Sequence, residues 1–472
     1  MYPTESNQVL SLSLASLPAP FCFGQHPDFE KDFKEHRKRA HRYKKGGDLK
    51  ELDETIMGRR ISLSELADSR HPEVFIIPRN RFLCVVDEWN DPIGFERTIF
   101  PFSSTDFYVD RHEKEGNLFY ELDHADPFFR LGGISQLGYL VPPRPEDWDK
   151  SVRVAYTVPQ FFHTRWVHSL LAAILMEVIL ARNGFSKEER APLVLTAGCH
   201  DIGTPAGGDS IKRVDPKGLD EEENFAWVLD RYGLAEKWAK QFGFDLVLAK
   251  EWIRGQGVFG RLLDTIDKMA YTALDCYYLG GTRPGEVRNL CLKHPLIMDV
   301  WQDIQFTPDR TEFVFTQPER LFRFLLLRAY EFQELLFNPY SRTLDLFLKK
   351  LVKPLYRKGI ITGEQLLTGD DEWLRQVLTQ YYPDEVKCYI EPEELSWKKF
   401  DTAQERREFC KKFKIMVDHS EHITGFTTGL NWLVENKGEI VPLRKAISRR
   451  KVELLEAVKA WTVGYHVYYK RP

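Results

Sequence analysis

The chain has 472 residues, of which 43% are hydrophobic and 29% charged, with 66 Lys and Arg against 70 Asp and Glu. That composition excludes a disordered chain, and the length is past the size at which a single core stops growing. Charge so nearly balanced calls for neither nucleic acid nor a membrane surface, and no apolar run approaches the ~20 residues of a membrane span.

Residues 1 to about 30 are rich in Ser, Pro and Gly and read as a loose arm, without the basic start of a signal peptide. The basic segment "KDFKEHRKRAHRYKKGGD" follows, either a solvated helix face or a contact for phosphate or a neighbouring subunit. From 72 to 122 the short runs "EVFIIP", "RFLCVVDEW" and "RTIFPF" predict a small antiparallel sheet. Residues 1–125 therefore form an arm with a small β appendage.

From 126 to 350 the pattern is helical. "HSLLAAILMEVILAR" is apolar nearly all round, as in a buried helix. "APLVLTAGCHD", "EENFAWVLDRYGL" with Gly233 as its stop, "RLLDTIDKMAYTALDCYYLGG" stopped at Gly280 and Gly281, and "PERLFRFLLLRAYEFQELLF" come after it. Residues 351–472 read as a helical C-terminal region, with "SRRKVELLEAVKAW" its clearest amphipathic helix. The expected fold is mainly α, a helical bundle with a small N-terminal β appendage and a helical tail. The seven cysteines are odd in number and lack any CxxC pair, which fits reduced thiols and a cytoplasmic location.

Within "CHDIGTPAGGD" two strong metal ligands, His200 and Asp201, stand side by side. Adjacent helical residues point about 100° apart, so both reach one ion only where the helix ends. Gly203 and Pro205 predict that end. His168 opens the buried helix and is either a satisfied core histidine or a third ligand. Asp267, Tyr271 and Asp275, spaced by four, share one face of an apolar helix, and carboxylates there ask for a cation or a polar ligand. "DHSEHITG" is a second cluster, in which His419 and His422 at i, i+3 can share a helical face, with Asp418 and Glu421 beside them; ordinary surface chemistry is its plainer reading. GxSxG and GxxxxGK[ST] are absent, against an α/β-hydrolase or a P-loop enzyme.

The order His, His-Asp, Asp on successive helices resembles the HD superfamily of metal-dependent phosphohydrolases. Four stretches are similar to its deoxynucleoside triphosphate triphosphohydrolase branch: "SQLGYLVPP", "TRWVHS", "HDIGTP" and "DKMAYTALDCYYLGG". The resemblance spans roughly residues 126 to 285. It implies a divalent ion (Mn, Mg, Fe or similar) held by His168, His200, Asp201 and Asp267, with the ligand set leaning toward transition metals. It implies that Gln136 and Leu137 touch the deoxyribose, that Arg165 and Lys268 face the phosphates, that Tyr271 packs on the sugar, and that Asp275 accepts a hydrogen bond from the 3′-hydroxyl. The implied reaction hydrolyses a dNTP to deoxynucleoside and triphosphate, and the implied assembly is a homo-oligomer.

The sequence departs from that branch where it carries further histidines. Asp209 stands nine residues after His200, Thr204 four after it, and Glu223 beside Asn224 in "DEEENF". Asp209 and Glu223 then do the acid–base work, with Arg165 stabilising charge, or bind a second metal. Alternatively catalysis is lost and the chain is a nucleotide-binding sensor. A phosphodiesterase or 3′ exonuclease acting on nucleic acid is the other rival, favoured only by the basic residues 31–45. Lys212 and Arg213 are either phosphate contacts or a solvated loop.

Overall fold

The computed structural model describes residues 74–77, 81–86, 95–99, 105–110, 116–136, 163–278, 300–332, 336, 339–388, 396–413, 417–423 and 426–469. Helix dominates among them, as expected. The basic segment, Leu137 and the Gly280-Gly281 stop lie outside the described residues.

The N-terminal runs form β1 (Val74–Ile77), β2 (Arg81–Val86) and β3 (Phe95–Ile99), and a fourth strand, β4 (Thr105–Asp110), joins them. The sheet is mixed, which corrects the antiparallel expectation. Its order is β1-β2-β4-β3, with β2 and β4 parallel. β3 lies one strand's width away from β2, and β4 returns through the gap antiparallel to β3.

Two short helices, α1 (Leu118–Asp123) and α2 (Asp126–Arg130), lead to a 3-10 turn at Leu131–Gly133. Helix α3 (Arg165–Arg182) is buried from Arg165 through Ala181, as its sequence without a polar stripe requires. Asn183 ends it: its side-chain amide donates to Ile179 O at 2.7 Å and its carbonyl accepts from Phe306 N at 2.7 Å. Helix α4 (Lys187–Cys199) begins at a capping box of Ser186 and Glu189 and packs along α3. The buried pair Glu177–Arg190, 2.9 Å apart, ties the two helices together.

Next come α5 (Gly208–Lys212), α6 (Glu221–Arg231), α7 (Leu234–Phe242), α8 (Leu246–Ile253) and the long α9 (Gly257–Tyr278). Gly233 stops α6 as expected, with φ of 65°. Helix α9 packs on α3, α4 and α8, so the three segments bearing the candidate ligands meet. Strands β5 (Ile304–Phe306) and β6 (Phe313–Phe315) precede α10 (Pro318–Glu331), which also packs on α9.

Helix α11 (Pro339–Arg357) runs through residue 350, where the sequence suggested a boundary. With α12 (Gly363–Thr368) and α13 (Asp371–Tyr381) it builds a second apolar cluster. In that cluster Leu348, Val352, Leu366 and Leu374 pack on Ile211 of α5 and on Ala206 and Leu219 from the loops beside it. Helix α14 (Pro383–Cys388) follows.

The C-terminal region is less helical than expected. It contains β7 (Ser396–Phe400), α15 (Ala403–Phe413), β8 (Val417–Ile423), β9 (Leu433–Asn436), β10 (Glu439–Pro442), α16 (Leu443–Ala446), α17 (Arg449–Thr462) and β11 (Gly464–Tyr469). One sheet is β7-β11-β8, and another, β10-β9-β6-β5, unites the tail with the middle of the chain. Lys437 and Gly438, at φ of 55° and 85°, make the tight β9–β10 turn whose twist suits a two-residue hairpin. Residues 418–423 of "DHSEHITG" belong to strand β8, so the helix on which His419 and His422 were expected to share a face does not exist.

Candidate active site

Helix α3 places His168 one turn from its start, with 1% of its surface exposed. Helix α4 ends at Cys199 and the next residue, His200, caps it, so the chain turns where Asp201 must diverge from a helical direction. The turn is held from outside. Arg130 donates to the carbonyls of Ile202 and Thr204 at 2.8 Å each and to Gly369 O at 2.8 Å. Gly203 packs so close to Glu221 that a Cβ there would overlap the Glu221 carbonyl. Asp371, from the start of α13, accepts from Ser135 N at 2.9 Å and from Gly207 N at 2.7 Å, joining the segment of Gln136 to this loop.

Four donors converge here. His168 Nε2 lies 3.1 Å from His200 Nε2 and 3.0 Å from Asp267 Oδ1, and His200 Nε2 lies 3.4 Å from the same oxygen. Asp201 Oδ2 stands slightly back, 3.6 Å from His168 Nε2 and 3.9 Å from His200 Nε2. Neighbouring ligands about 2.1 Å from one ion and at right angles are about 3 Å apart, so the group has the spacing of a metal site. His168, His200 and Asp267 form the tight group that can hold an ion, and Asp201 flanks it.

The surrounding atoms suit a cation. His200 Nδ1 donates to Ala197 O at 2.6 Å, which turns the ring so that Nε2 faces the group. Asp201 Oδ2 is buried and lacks a hydrogen-bond partner among the described residues. Burial opposes charge on His200, yet Asp201 and Asp267 prevail and push its imidazolium up to about 9. Burial also disfavours the Asp267 carboxylate, but the two histidines hold its carboxyl well below the usual range.

These residues line a cavity of about 270 Å³. Arg165, the first residue of α3, reaches three carboxylates: Asp201 Oδ1 at 2.7 Å, Asp209 Oδ2 at 3.2 Å and Glu221 Oε2 at 3.9 Å. Lys212 bonds Asp209 Oδ1 at 2.9 Å and also Glu221 Oε2. Burial would raise the Asp209 carboxyl, but Lys212 and Arg165 keep it well below its ordinary value. Glu221 is raised, chiefly by burial.

Gln136, Tyr271 and Asp275 line the same cavity. Gln136 Oε1 is buried without a partner among the described residues. The Tyr271 hydroxyl accepts from Arg328 Nε at 3.0 Å and Nη2 at 2.8 Å. Asp275 meets His163 Nε2 at 2.6 Å and faces Glu331, which accepts from Thr272 Oγ1 at 2.7 Å. Burial lifts Asp275 to about 7 and drives Glu331 well above its ordinary value, while His163, also buried, falls to about 3 and stays neutral.

Two sequence candidates lie elsewhere. Lys268 turns to Asp264 and is not part of the cavity wall. Glu223, its side chain 57% exposed, pairs with Arg254 at 2.5 Å, while Glu221 faces the cavity instead. Asp220 caps α6 by accepting from Glu222 N and Glu223 N, which sets the helix's rotation and turns Glu223 outward. The sequence reading did not find Glu221, Glu331, His163 or Asp371. Asp220 as an N-cap before three glutamates was a usable signal for the first, and none existed for the others.

No family model and no curated protein matches the sequence. Solved structures do match by shape. A phosphohydrolase from Bacteroides thetaiotaomicron is similar with a TM-score of 0.51 at 16% identity, over 77% of this chain and 98% of that one. A hypothetical protein from Aquifex aeolicus is similar with a TM-score of 0.55 at 15% identity, over 79% and 96%. The chain shares its overall fold with these two structures. No helix among the described residues is long and apolar enough to cross a membrane.

Proposed function

We propose that the chain is a metal-dependent phosphohydrolase that converts deoxynucleoside triphosphates to deoxynucleoside and triphosphate. The observation that carries this is the approach of His168 Nε2, His200 Nε2, Asp267 Oδ1 and Asp201 Oδ2 within one cavity, beside a buried arginine. These four residues hold the divalent ion. When bound there, the ion supplies Lewis acidity toward a phosphate oxygen.

The chain's own groups do the rest. Arg165 offers its fork to a phosphate at the edge of the centre, and its three carboxylate contacts fix its direction. Gln136 supplies a buried acceptor that has no partner among the described residues, Tyr271 a flat face held by Arg328, and Asp275 a carboxyl for a sugar hydroxyl. Asp209 remains a carboxylate and orients a polar group rather than carrying a proton. Glu221, raised by burial, is the better proton carrier and takes the place first assigned to Glu223. Assembly as a homo-oligomer belongs to the same reading and rests on the resemblance alone.

The test is incubation of the chelated and Mn²⁺-reloaded protein with each dNTP and NTP, resolving triphosphate from pyrophosphate and phosphate. Triphosphate from dNTPs is the expected product. Mononucleotides released from an oligonucleotide would favour a phosphodiesterase, and nucleotide binding without turnover under any divalent ion would favour a sensor.

A further inference from the structure

Asp209 and Glu221 both face the cavity, and a side chain from behind its wall joins them. Lys212, in the last turn of α5, lays its ammonium 2.9 Å from Asp209 Oδ1 and against Glu221 Oε2, and it is not itself part of the wall. Thr204 Oγ1 donates to the same Glu221 oxygen at 3.2 Å. Arg165 then spans from this pair to Asp201, which it holds at 2.7 Å. The two carboxylates and the hydroxyl form an all-oxygen set beside the His-His-Asp group, the donor chemistry that hard divalent cations prefer. A fixed ammonium sits where such a cation would bind.

We infer that Lys212 is a built-in counter-cation, occupying between Asp209 and Glu221 the place of a second divalent ion, so that the centre takes one ion and not two. The inference rests on the reading of His168, His200, Asp201 and Asp267 as an ion-binding group. It makes Lys212 a positioning residue: it holds the two carboxylates apart from the ion and keeps their charge from repelling a phosphate. A lysine suits this better than an arginine because its compact charge on a flexible stem fits between two single oxygens.

Counting ions tests it without any substrate. The full chain is stripped with a chelator, equilibrated with Mn²⁺ alone at a concentration that saturates the wild type, and its bound manganese is measured per chain. The wild type should hold one ion, Lys212→Met two, and Lys212→Arg one. Adding Glu221→Gln to Lys212→Met should return the count to one. If Lys212→Met does not fold, Lys212→Gln, equally uncharged, asks the same question. A count of one in the uncharged variant, or of two in the wild type, overturns the inference while leaving the first site intact. A count of zero in the wild type overturns both.

Discussion

Replacing Asp275 by Asn should make the protein's stability less sensitive to alkaline pH. Asp275 and Glu331 face each other with 1% and 0% of their surface exposed. Burial raises Asp275 to about 7, although its hydrogen bond with Glu331 acts the other way, and burial together with the Asp275 carboxyl drives Glu331 well up. An acid whose folded value is raised binds protons more tightly in the native state than in the unfolded chain. Its favourable contribution is complete below the unfolded value near 3.9 and is lost as pH climbs through 7. For Asp275 the span is about 3 pH units, or about 4 kcal/mol at ~1.4 kcal/mol per unit. Asparagine cannot ionise, so that loss goes, and it still offers an oxygen and an amide to Glu331 and to His163, now 2.6 Å from Asp275. Denaturant unfolding of the chelated protein between pH 4.5 and 8.5 checks this. The wild type should lose about 3 kcal/mol more than Asp275→Asn across that range, because the unfolded carboxyl is already largely ionised at its acid end. A difference between the two that is constant with pH would refute the reasoning.

Other outcomes follow from the same geometry. Mn²⁺ at a hundred times its dissociation constant should stabilise the wild type by about 2.7 kcal/mol, and His168→Ala or Asp267→Ala should abolish that shift in a thermal melt. Gly203→Ala, which drives a Cβ into the Glu221 carbonyl, should cost about 1–3 kcal/mol and weaken Mn²⁺ binding, both readable by calorimetry. Arg165→Lys keeps the charge but cannot span Asp201, Asp209 and Glu221 together, so dNTP turnover should fall about 100-fold with the metal count unchanged.

Local rules made much of the helical frame readable. The nearly continuous apolar run of α3, the Gly-Pro stop after His200 and the four-residue spacing of Asp267, Tyr271 and Asp275 each report on a few neighbouring residues, and each has its counterpart in the fold. The strands of the tail were less visible, because alternation in "GYHVYY" or the turn in "ENKGE" competes with long stretches of good helix formers nearby. The direction of β4 could not be read at all, since it depends on which strand lies beside which.

By itself, then, the sequence determined the chemical identity of the candidate ligands and the helices that carry them, because helical period and chain breaks are properties of neighbouring residues. Only the tertiary structure decided which carboxylates share the cavity. The rotation of α6 under its Asp220 cap chose Glu221 over Glu223, and the packing of α10 on α9 set Glu331 against Asp275. Such choices depend on contacts between segments far apart in the chain, which no local pattern encodes.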